Sequence, residues 1–463
     1  MTNGTKDNSS QFDRRTYLKT AGGLSVSTLA ALAGCSGNNN SSSGGASNDE
    51  NTDSSQTTAQ GEYSSPIDET FLTVGSLQND IWKAMLQGAK EAAEDLGLTN
   101  GVSAQAHKGN PSDQISQVSS AVTSGSDIVA GTGARNAGVE TLAETAVQNN
   151  VPMLTYWAMG KWLLPTNVGS EFVHYQIPET FKAGAIPAKI LFEEMGGEGN
   201  IVAVLGPEGH IGSFRFEGMR NAMEEYPNIN LLGFQYSGGW TRKKGREVMS
   251  SFVSQYGNQI DGVYCNNGTI GLGVATILSE NNMAVPFTGF DGAKSNIDYI
   301  KNNGPDSGQP YQVQSQAAPP FWQGGWSVVR GYDWLHGWRP RVPERMMWTR
   351  TLTVLNPGID QSKYEGMLDT RFASPEKYNS VAYSSGHSPY DWEKMSIEES
   401  GDDWDPQHLL IPIRKSQWNQ LQWNEENKPS NLTIPDVYDN KELFDEVEQD
   451  YRQRNENGMN PYL

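Results

Sequence analysis

Apolar and polar segments alternate regularly along most of the chain after residue 66. Short apolar runs, such as FLTVGS at 71–76 and NIVAVLG at 200–206, predict buried β-strands. Longer amphipathic segments, such as WKAMLQGAKEAAEDLG at 82–97, predict helices. Strands that alternate with helices form parallel sheets covered on both faces. Because the alternation occurs twice, we predict two doubly wound α/β lobes with ligands at the carboxyl ends of their strands.

The first residues of the chain have a different pattern. Paired arginines at 14–15 precede an uncharged run at 21–34. The last three residues of this run and the following cysteine form the tetrapeptide LAGC at 32–35. That run is too short to cross a bilayer as a helix, since a span needs about 20 apolar residues. The tetrapeptide resembles a lipobox, in which the cysteine becomes the lipidated first residue of the mature chain. We therefore predict a twin-arginine lipoprotein signal over 1–35 with Cys35 as its lipidation site, rather than an amphipathic N-terminal helix.

Composition extends this prediction. Residues 36–65 are almost entirely Ser, Asn, Gly, Thr, Gln and acidic residues, a composition that predicts a disordered linker. The whole chain has 34 basic and 54 acidic residues and a net charge of −20. This excess argues against nucleic-acid binding, which needs a basic surface, and is typical of halophile proteins. We expect an extracytoplasmic protein anchored to the cell membrane by its lipidated cysteine.

Six segments of the chain carry a family resemblance. They are QNDIWKAMLQGAKEAAEDLG (78–97), NPSDQISQV (110–118), IVAVLGPEGHIGSFRFEGMRNAM (201–223), DGVYCNNGTIGLGVATIL (261–278), VPFTGFDG (285–292) and VQSQAAPPFWQGG (313–325). In this order and spacing they resemble the ribose- and galactose-type periplasmic sugar-binding proteins of ABC importers. The resemblance implies the type 1 periplasmic binding fold, a carbohydrate-like ligand, no cofactor, and an ABC permease in the membrane as partner.

The resemblance also implies where the chain passes between the lobes. In this family it crosses three times, and we place the crossings near 174–177, 315–318 and 345–349. Lobe I then comprises 66–175 and 318–345, and lobe II comprises 176–317 and 346–356. The remaining residues, 357–463, form a C-terminal extension of unknown role that is rich in Trp, Tyr, Asn and acidic residues.

Polar candidates for ligand binding follow the predicted strands. A polyol needs carboxylate and amide groups for its hydroxyls and aromatic faces for its C–H surfaces. Asp291 stands where the family has a binding Asp, although it could instead cap the next helix. Asn267 matches a binding Asn or Asp, with a turn residue as its alternative. Asn79 and Gln316 fall on family ligand positions, and each could instead cap the backbone.

Aromatic candidates depart more from the family. Trp82 and Trp240 match positions where relatives carry aromatic residues. Tyr156 and Trp157 close a strand where ribose-type proteins carry an Asp-Arg pair, so we do not expect ribose as the ligand. Arg215 lies near a family arginine position. The alternative for each aromatic residue is a purely structural place in the core.

Catalytic and metal-binding patterns are missing from the sequence, and its six histidines lack metal-ligand spacing. Together with these absences, the family resemblance implies a non-enzymatic, metal-free solute receptor of an ABC importer that takes a sugar or polyol. Two alternatives stay open: a sensor lipoprotein that signals to a membrane receptor, and a binder of a nucleoside or a quaternary amine. A carbohydrate-acting enzyme would need a second carboxylate beside Asp291.

The predicted anchor gives a direct test. We expect Cys35→Ser to release the protein from membranes without unfolding it, because the serine cannot take the lipid. Cell fractionation and circular dichroism measure the two properties, with Ser36→Ala as the control that should remain in the membrane fraction. Membrane retention of the Cys35→Ser variant would contradict the lipid anchor.

Overall fold

The computed structural model describes four stretches of the chain, namely residues 66–208, 211–397, 410–458 and 461–462. The predicted signal, its Cys35 and the linker lie outside the described residues. Two seven-stranded sheets with helices on their faces form the described part, which confirms the predicted pair of α/β lobes. No described helix is long and apolar enough to cross a membrane.

One sheet forms the centre of lobe I. Its strands are β1 (Glu69–Val74), β2 (Gly101–Ala106), β3 (Ile128–Thr132), β4 (Met153–Tyr156), β5 (Phe172–Pro178), β11 (Met346–Thr349) and β14 (Leu410–Pro412). Their spatial order is β14-β11-β5-β4-β3-β1-β2. All neighbours are parallel except β14, which runs antiparallel to β11. The carboxyl ends of β1 to β5 therefore meet at one edge of the sheet.

The second sheet forms the centre of lobe II. Its strands are β6 (Glu198–Leu205), β7 (Asn228–Tyr236), β8 (Gly262–Cys265), β9 (Pro286–Phe290), β10 (Tyr311–Ala317), β12 (Leu352–Leu355) and β13 (Arg371–Ala373). Their order is β13-β12-β10-β9-β8-β6-β7, and only the β10–β12 pair is antiparallel. The sheet is built like the first one, with its parallel strands ending at a common edge.

Helices follow most of the strands. They are α1 (Asp80–Asp95), α2 (Pro111–Thr123), α3 (Val139–Asn149), α4 (Thr180–Glu194), α5 (Ile211–Met223), α6 (Arg242–Tyr256), α7 (Gly268–Glu280), α8 (Lys294–Asn302), α9 (Pro320–Leu335), α10 (Pro375–Ala382), α11 (Trp392–Met395) and α12 (Lys441–Asn457). Side chains of Asn79, Asn110, Thr241 and Asn267 accept backbone N–H groups and fix the first turns of α1, α2, α6 and α7.

Two of the predicted lobe boundaries differ from the structure. Strand β5 stays in lobe I as far as Pro178, beyond the predicted boundary at residue 175, and α4 then begins lobe II. The predicted lobe II includes 346–356, but β11 pairs with β5 in the first sheet, so the chain crosses at Arg350–Thr351. The apolar pattern predicts a strand here. It does not predict which sheet accepts that strand, because this depends on partners distant in the sequence.

The C-terminal extension belongs to both lobes. Its β13 forms one edge of the second sheet, and its β14 forms one edge of the first. The chain consequently crosses a fourth time between the lobes, in addition to the passages from β5 to α4, from β10 to α9 and from β11 to β12. Helix α10 packs against α8 of lobe II and α9 of lobe I. The extension is therefore an integral part of the two-lobe structure.

Helix α9 is buried along its whole length, because α1 covers one side and the extension covers another. Gly88 and Gly324 let α1 and α9 approach closely, since a Cβ at either position would lie 1.9 Å from a carbonyl oxygen of the opposite helix. On the side of the extension, the Trp392 indole occupies the space in which a side chain at Gly325 would stand. The helix is therefore enclosed on all sides, as expected for a helix whose surface is mostly apolar.

A buried carboxylate fastens the extension to lobe I. Glu91 of α1 is 8% exposed. It accepts hydrogen bonds from the Ser388 N–H at 2.9 Å, from the Ser388 hydroxyl, and from the Trp392 Nε1–H at 2.9 Å. Hydrogen bonds to a charged acceptor are worth more than neutral ones, and they leave buried donors unsatisfied when the acceptor is removed.

We expect Glu91→Ala to lower the free energy of unfolding by about 3 kcal/mol, because it leaves three buried donors without their acceptor. Chemical denaturation measures the loss. Glu94→Ala is the matched control, since Glu94 lies on the same helix and is exposed. Equal stability of the two variants would show that the carboxylate does not hold the extension.

Candidate functional site

A cavity of about 540 Å³ lies between the carboxyl ends of the strands of the two sheets. Lobe I contributes residues that follow β1, β2, β3 and β4, and lobe II contributes residues around the starts of α5, α6 and α7 and the end of β9. Seven of the nine predicted ligand residues line it, namely Asn79, Trp82, Trp157, Arg215, Trp240, Asn267 and Asp291.

An ion pair lies at the lobe II side of the cavity. Arg215 Nη2 is 2.8 Å from Asp291 Oδ1, and Arg215 Nη1 donates to the carbonyl of Asn266 at 2.8 Å. The guanidinium also lies over the Phe290 ring, 4.5 Å from its centroid. The Arg215 side chain is only 7% exposed and the Asp291 side chain is 24% exposed, so the carboxylate is the more accessible member of the pair.

Asp291 does not cap the following helix. The residue at the N-cap of α8 is Ala293, and no side chain accepts a hydrogen bond there. Asp291 instead has a left-handed backbone with φ of 76°, an uncommon conformation for a residue other than glycine. Its second carboxylate oxygen accepts from the Asn267 amide. The helix-cap alternative for Asp291 is thereby excluded, and the carboxylate is directed into a polar network at the cavity.

Both asparagines combine a cap with a place in the cavity. Asn79 Oδ1 accepts from the Ile81 N–H at 2.9 Å, and Asn267 Oδ1 accepts from the Ile270 N–H at 3.0 Å. A cap needs only the amide oxygen, so the two roles do not compete. Each amide nitrogen keeps donor capacity, although Asn267 uses part of it on Asp291.

Aromatic side chains line the cavity on both lobes. The Trp82 and Trp157 rings of lobe I are 5.1 Å apart at an interplanar angle of 51°. Trp240 of lobe II lies over Gly206 and Gly212, and a Cβ at either glycine would be closer than 3.0 Å to its ring. These three indoles provide the flat apolar surface that the sequence predicts for this site.

Two predicted residues, Tyr156 and Gln316, do not line the cavity. Tyr156, the last residue of β4, is fully buried in the core of lobe I, whereas Trp157 after it has a left-handed backbone with φ of 68° and faces the cavity. Gln316 is 1% exposed and uses its amide on the hydroxyls of Thr351 and Thr353. The backbone carbonyl of Gln316 accepts the Asp291 N–H at 2.9 Å, so Gln316 holds the Asp291 loop in place without lining the cavity.

His107 also lines the cavity, and the sequence analysis did not select it as a ligand residue. It follows β2, is 4% exposed, and accepts the Gly109 N–H on Nδ1 at 3.0 Å. Burial lowers the pKa of His107 to about 4, so the ring is neutral at ordinary pH and carries its proton on Nε2. Its position directly after a predicted strand is the signal in the sequence that points to the cavity, whereas metal-ligand spacing does not detect a single histidine of this kind.

The described residues contain no cluster of His, Cys, Asp and Glu suited to a metal ion. The charged side chains among the described residues of the cavity wall are Lys108, Arg215 and Asp291. Since Arg215 pairs with Asp291, Lys108 leaves the wall with a small positive excess despite the acidic composition of the whole chain.

The model of the periplasmic binding protein domain matches residues 71–323, which is more than half of the chain. The chain belongs to the periplasmic binding protein family. It is 26% identical over 249 residues to a xylitol-binding protein of Mycolicibacterium smegmatis, covering 53% of this chain and 69% of that one. It is 27% identical over 249 residues to a D-apiose import binding protein of Actinobacillus succinogenes, covering 53% of this chain and 75% of that one.

Solved structures of the family have the same fold. A protein of Burkholderia phytofirmans, described as a twin-arginine translocation pathway signal protein, superposes with a TM-score of 0.59. It is 22% identical and covers 71% of this chain and 95% of its own. The predicted family resemblance and the type 1 fold of the present chain are confirmed. The chain is a solute-binding protein.

The neutral His107 makes stability depend on pH. The unfolded chain takes up a proton on His107 near the ordinary pKa of about 6.5, whereas the folded chain takes it up only near 4. The contribution of the neutral ring to the free energy of unfolding is therefore complete above pH 6.5 and is lost as the pH falls towards 4. We expect His107→Asn to reduce the loss of unfolding free energy between pH 7 and pH 5 by about 2 kcal/mol. Chemical denaturation at the two pH values measures it.

His387→Asn is the control of opposite sign. Burial opposes protonation of His387, but its hydrogen bond to Asp95 at 3.0 Å and the neighbouring carboxylates outweigh burial and raise its pKa. The contribution of protonated His387 to stability is present at low pH and is lost as the pH rises. His387→Asn should therefore increase the loss of unfolding free energy between about pH 7 and pH 5. An undiminished acid loss in His107→Asn would contradict the neutral buried ring.

Proposed function

We propose that this protein is an extracytoplasmic, lipid-anchored solute-binding protein of an ABC importer and that it binds a sugar or polyol between its two lobes. The observation that carries the proposal is the Asp291–Arg215–Asn267 network at a cavity lined by three tryptophans. The names of the two relatives, which refer to xylitol and to D-apiose import, support the ligand class and the connection with transport. The signal that the sequence predicts at 1–35 supports the export and anchoring part of the proposal.

The chemistry of the cavity suits a polyol. The Asp291 carboxylate accepts hydroxyl protons, while the amides of Asn79 and Asn267 and the ring of His107 provide donors. Indole faces cover the apolar C–H surfaces of a sugar, which hydrogen bonds cannot recognise. A cavity of about 540 Å³ is within the range of small-molecule sites.

Ligand binding would favour the closed arrangement of the lobes. Asn79 and Trp82 belong to lobe I, and Asn267 and Asp291 belong to lobe II, so a sugar that contacts all four bridges the lobes. Only the closed state offers both sets of contacts at once, and a ligand shifts an equilibrium by its difference in affinity for the two states. A permease would then recognise the closed receptor.

Electrostatics favours a sugar over a quaternary amine. Tryptophan faces also suit a quaternary ammonium group, but such a cation is repelled by the Lys108 charge of the cavity wall. Asp291 does not offset this repulsion, because its charge is already balanced by Arg215. The quaternary amine and the nucleoside remain alternatives to the sugar, and the binding screen described next tests both.

We expect at least one of xylitol, D-apiose, D-allose and L-arabinose to bind the purified protein. Asp291→Asn should weaken that binding at least tenfold, because a hydrogen bond to a charged group is worth about 1.5–3 kcal/mol. Asparagine tolerates the left-handed backbone of position 291, so the substitution adds no backbone strain there. Calorimetry measures both affinities. Asp306→Asn, at an exposed position of the same lobe, should bind like the wild type.

The same screen includes uridine and choline. Binding of either one without any sugar would overturn the carbohydrate assignment, and equal affinities of Asp291→Asn and wild type would overturn the site. Uptake of the bound sugar by cells lacking this protein separates transport from sensing. A lost uptake supports the importer, whereas unchanged uptake with a lost response to the sugar supports the sensor alternative.

A further inference from the structure

We infer that the C-terminal extension takes part in ligand binding, and that Tyr383 is a positioning residue that braces the loop carrying Asp291. Tyr383 contacts this loop through the carbonyl of Gly292 and not through the cavity itself. The effect on affinity rests on the proposed function of Asp291. The effect on the loop does not, because it can be measured without any ligand.

The loop after β9 needs external support. Asp291 and Gly292 both have left-handed backbones, with φ of 76° and 68°. A non-glycine residue in this region costs about 1–3 kcal/mol and persists only where its surroundings enforce it. A Cβ at Gly292 would also lie 2.2 Å from the Tyr378 hydroxyl and 2.8 Å from the Ala317 Cβ, so only glycine fits here.

Strand β10 and the extension divide the support between them. The N–H of Asp291 donates to the Gln316 carbonyl at 2.9 Å, and the N–H of Gly292 donates to the Ser315 hydroxyl at 3.1 Å. The Gly292 carbonyl accepts from the Tyr383 hydroxyl at 2.7 Å. Both N–H groups of the loop are thus held by lobe II, whereas its Gly292 carbonyl is held by the extension.

Tyr383 is itself held in place on the lobe II side. It directly follows α10, and its N–H donates to the Asn379 carbonyl. Helix α10 is fastened to α8 by the Asn379 amide, which donates to Asp298 at 3.0 Å, and by an ion pair of Glu376 with Lys301 at 3.2 Å. The hydroxyl of Tyr383 therefore meets the loop from a helix that is anchored on the same lobe.

The next residues of the extension bind lobe I. The Ser384 carbonyl accepts from the Gln87 amide at 3.1 Å, and Ser388 bonds to Glu91 on the same helix. Tyr383 consequently lies at the point where the extension passes from one lobe to the other. A movement of one lobe relative to the other would move the two ends of the segment 383–388 relative to each other. The hydrogen bond of Tyr383 therefore links the Asp291 loop to the relative position of the lobes.

Tyr383→Phe tests the brace, because it removes the hydroxyl and keeps the ring. In the ligand-free protein we expect the amides of Asp291 and Gly292 to exchange hydrogen about three- to tenfold faster, the change that loss of one neutral hydrogen bond produces. Mass spectrometry of peptides covering 287–296 measures the exchange.

Tyr256→Phe is the matched control. The Tyr256 hydroxyl donates to the Leu232 carbonyl, also at 2.7 Å and also in lobe II, but away from the cavity wall. It should leave exchange at 287–296 unchanged. Unchanged exchange in Tyr383→Phe, or an equal change in Tyr256→Phe, would overturn the brace.

Affinity provides the second measurement, with xylitol as the first probe and then the other sugars of the screen. We expect Tyr383→Phe to weaken binding about three- to tenfold and to add little to the loss already caused by Asp291→Asn. Full additivity would show that Tyr383 does not act through Asp291. If none of the sugars binds, the proposed function fails, while the exchange measurement still decides whether the extension braces the loop.

Discussion

The ion pair of Arg215 with Asp291 is the interaction on which the cleft depends. A guanidinium that is almost fully buried is costly unless a carboxylate and further acceptors surround it, and here Asp291, the Asn266 carbonyl and the Phe290 ring do so. The pair joins the start of α5 to the end of β9. Asn267 extends it to the start of α7, so one network holds the ends of two strands and two helices of lobe II at the cavity.

This network also explains the unusual backbone at the site. The left-handed conformation of Asp291 points its carboxylate towards Arg215 and Asn267, and these contacts offset part of its conformational cost. Trp157 of lobe I has a similar backbone, with φ of 68°, and likewise presents its side chain to the cavity. Each lobe thus directs a binding candidate into the cleft by a backbone conformation that regular strands do not adopt.

The extension connects the two lobes by contacts with each of them. It adds an edge strand to each sheet and covers α9, a helix that would otherwise expose apolar residues to water. Glu91 fastens it to lobe I, and the Asn379 and Glu376 contacts fasten it to lobe II. Any change in the relative position of the lobes would therefore have to be accommodated in the short segment near Tyr383 as well as in the three other crossings.

The sequence by itself determined the order of strands and helices, the two lobes and seven of the residues that line the cavity. The order of elements follows from apolar periodicity, which is a local pattern, and the seven cavity residues follow from the family resemblance, which gives the ligand positions beyond the carboxyl ends of the strands. The tertiary structure alone decided that β11 joins the first sheet, that Tyr156 and Gln316 turn away from the cavity, and that His107 faces it. It also decided that the extension reaches the Asp291 loop. Each of these depends on contacts between residues far apart in the chain, and a local pattern carries no information about which distant partner a residue will meet.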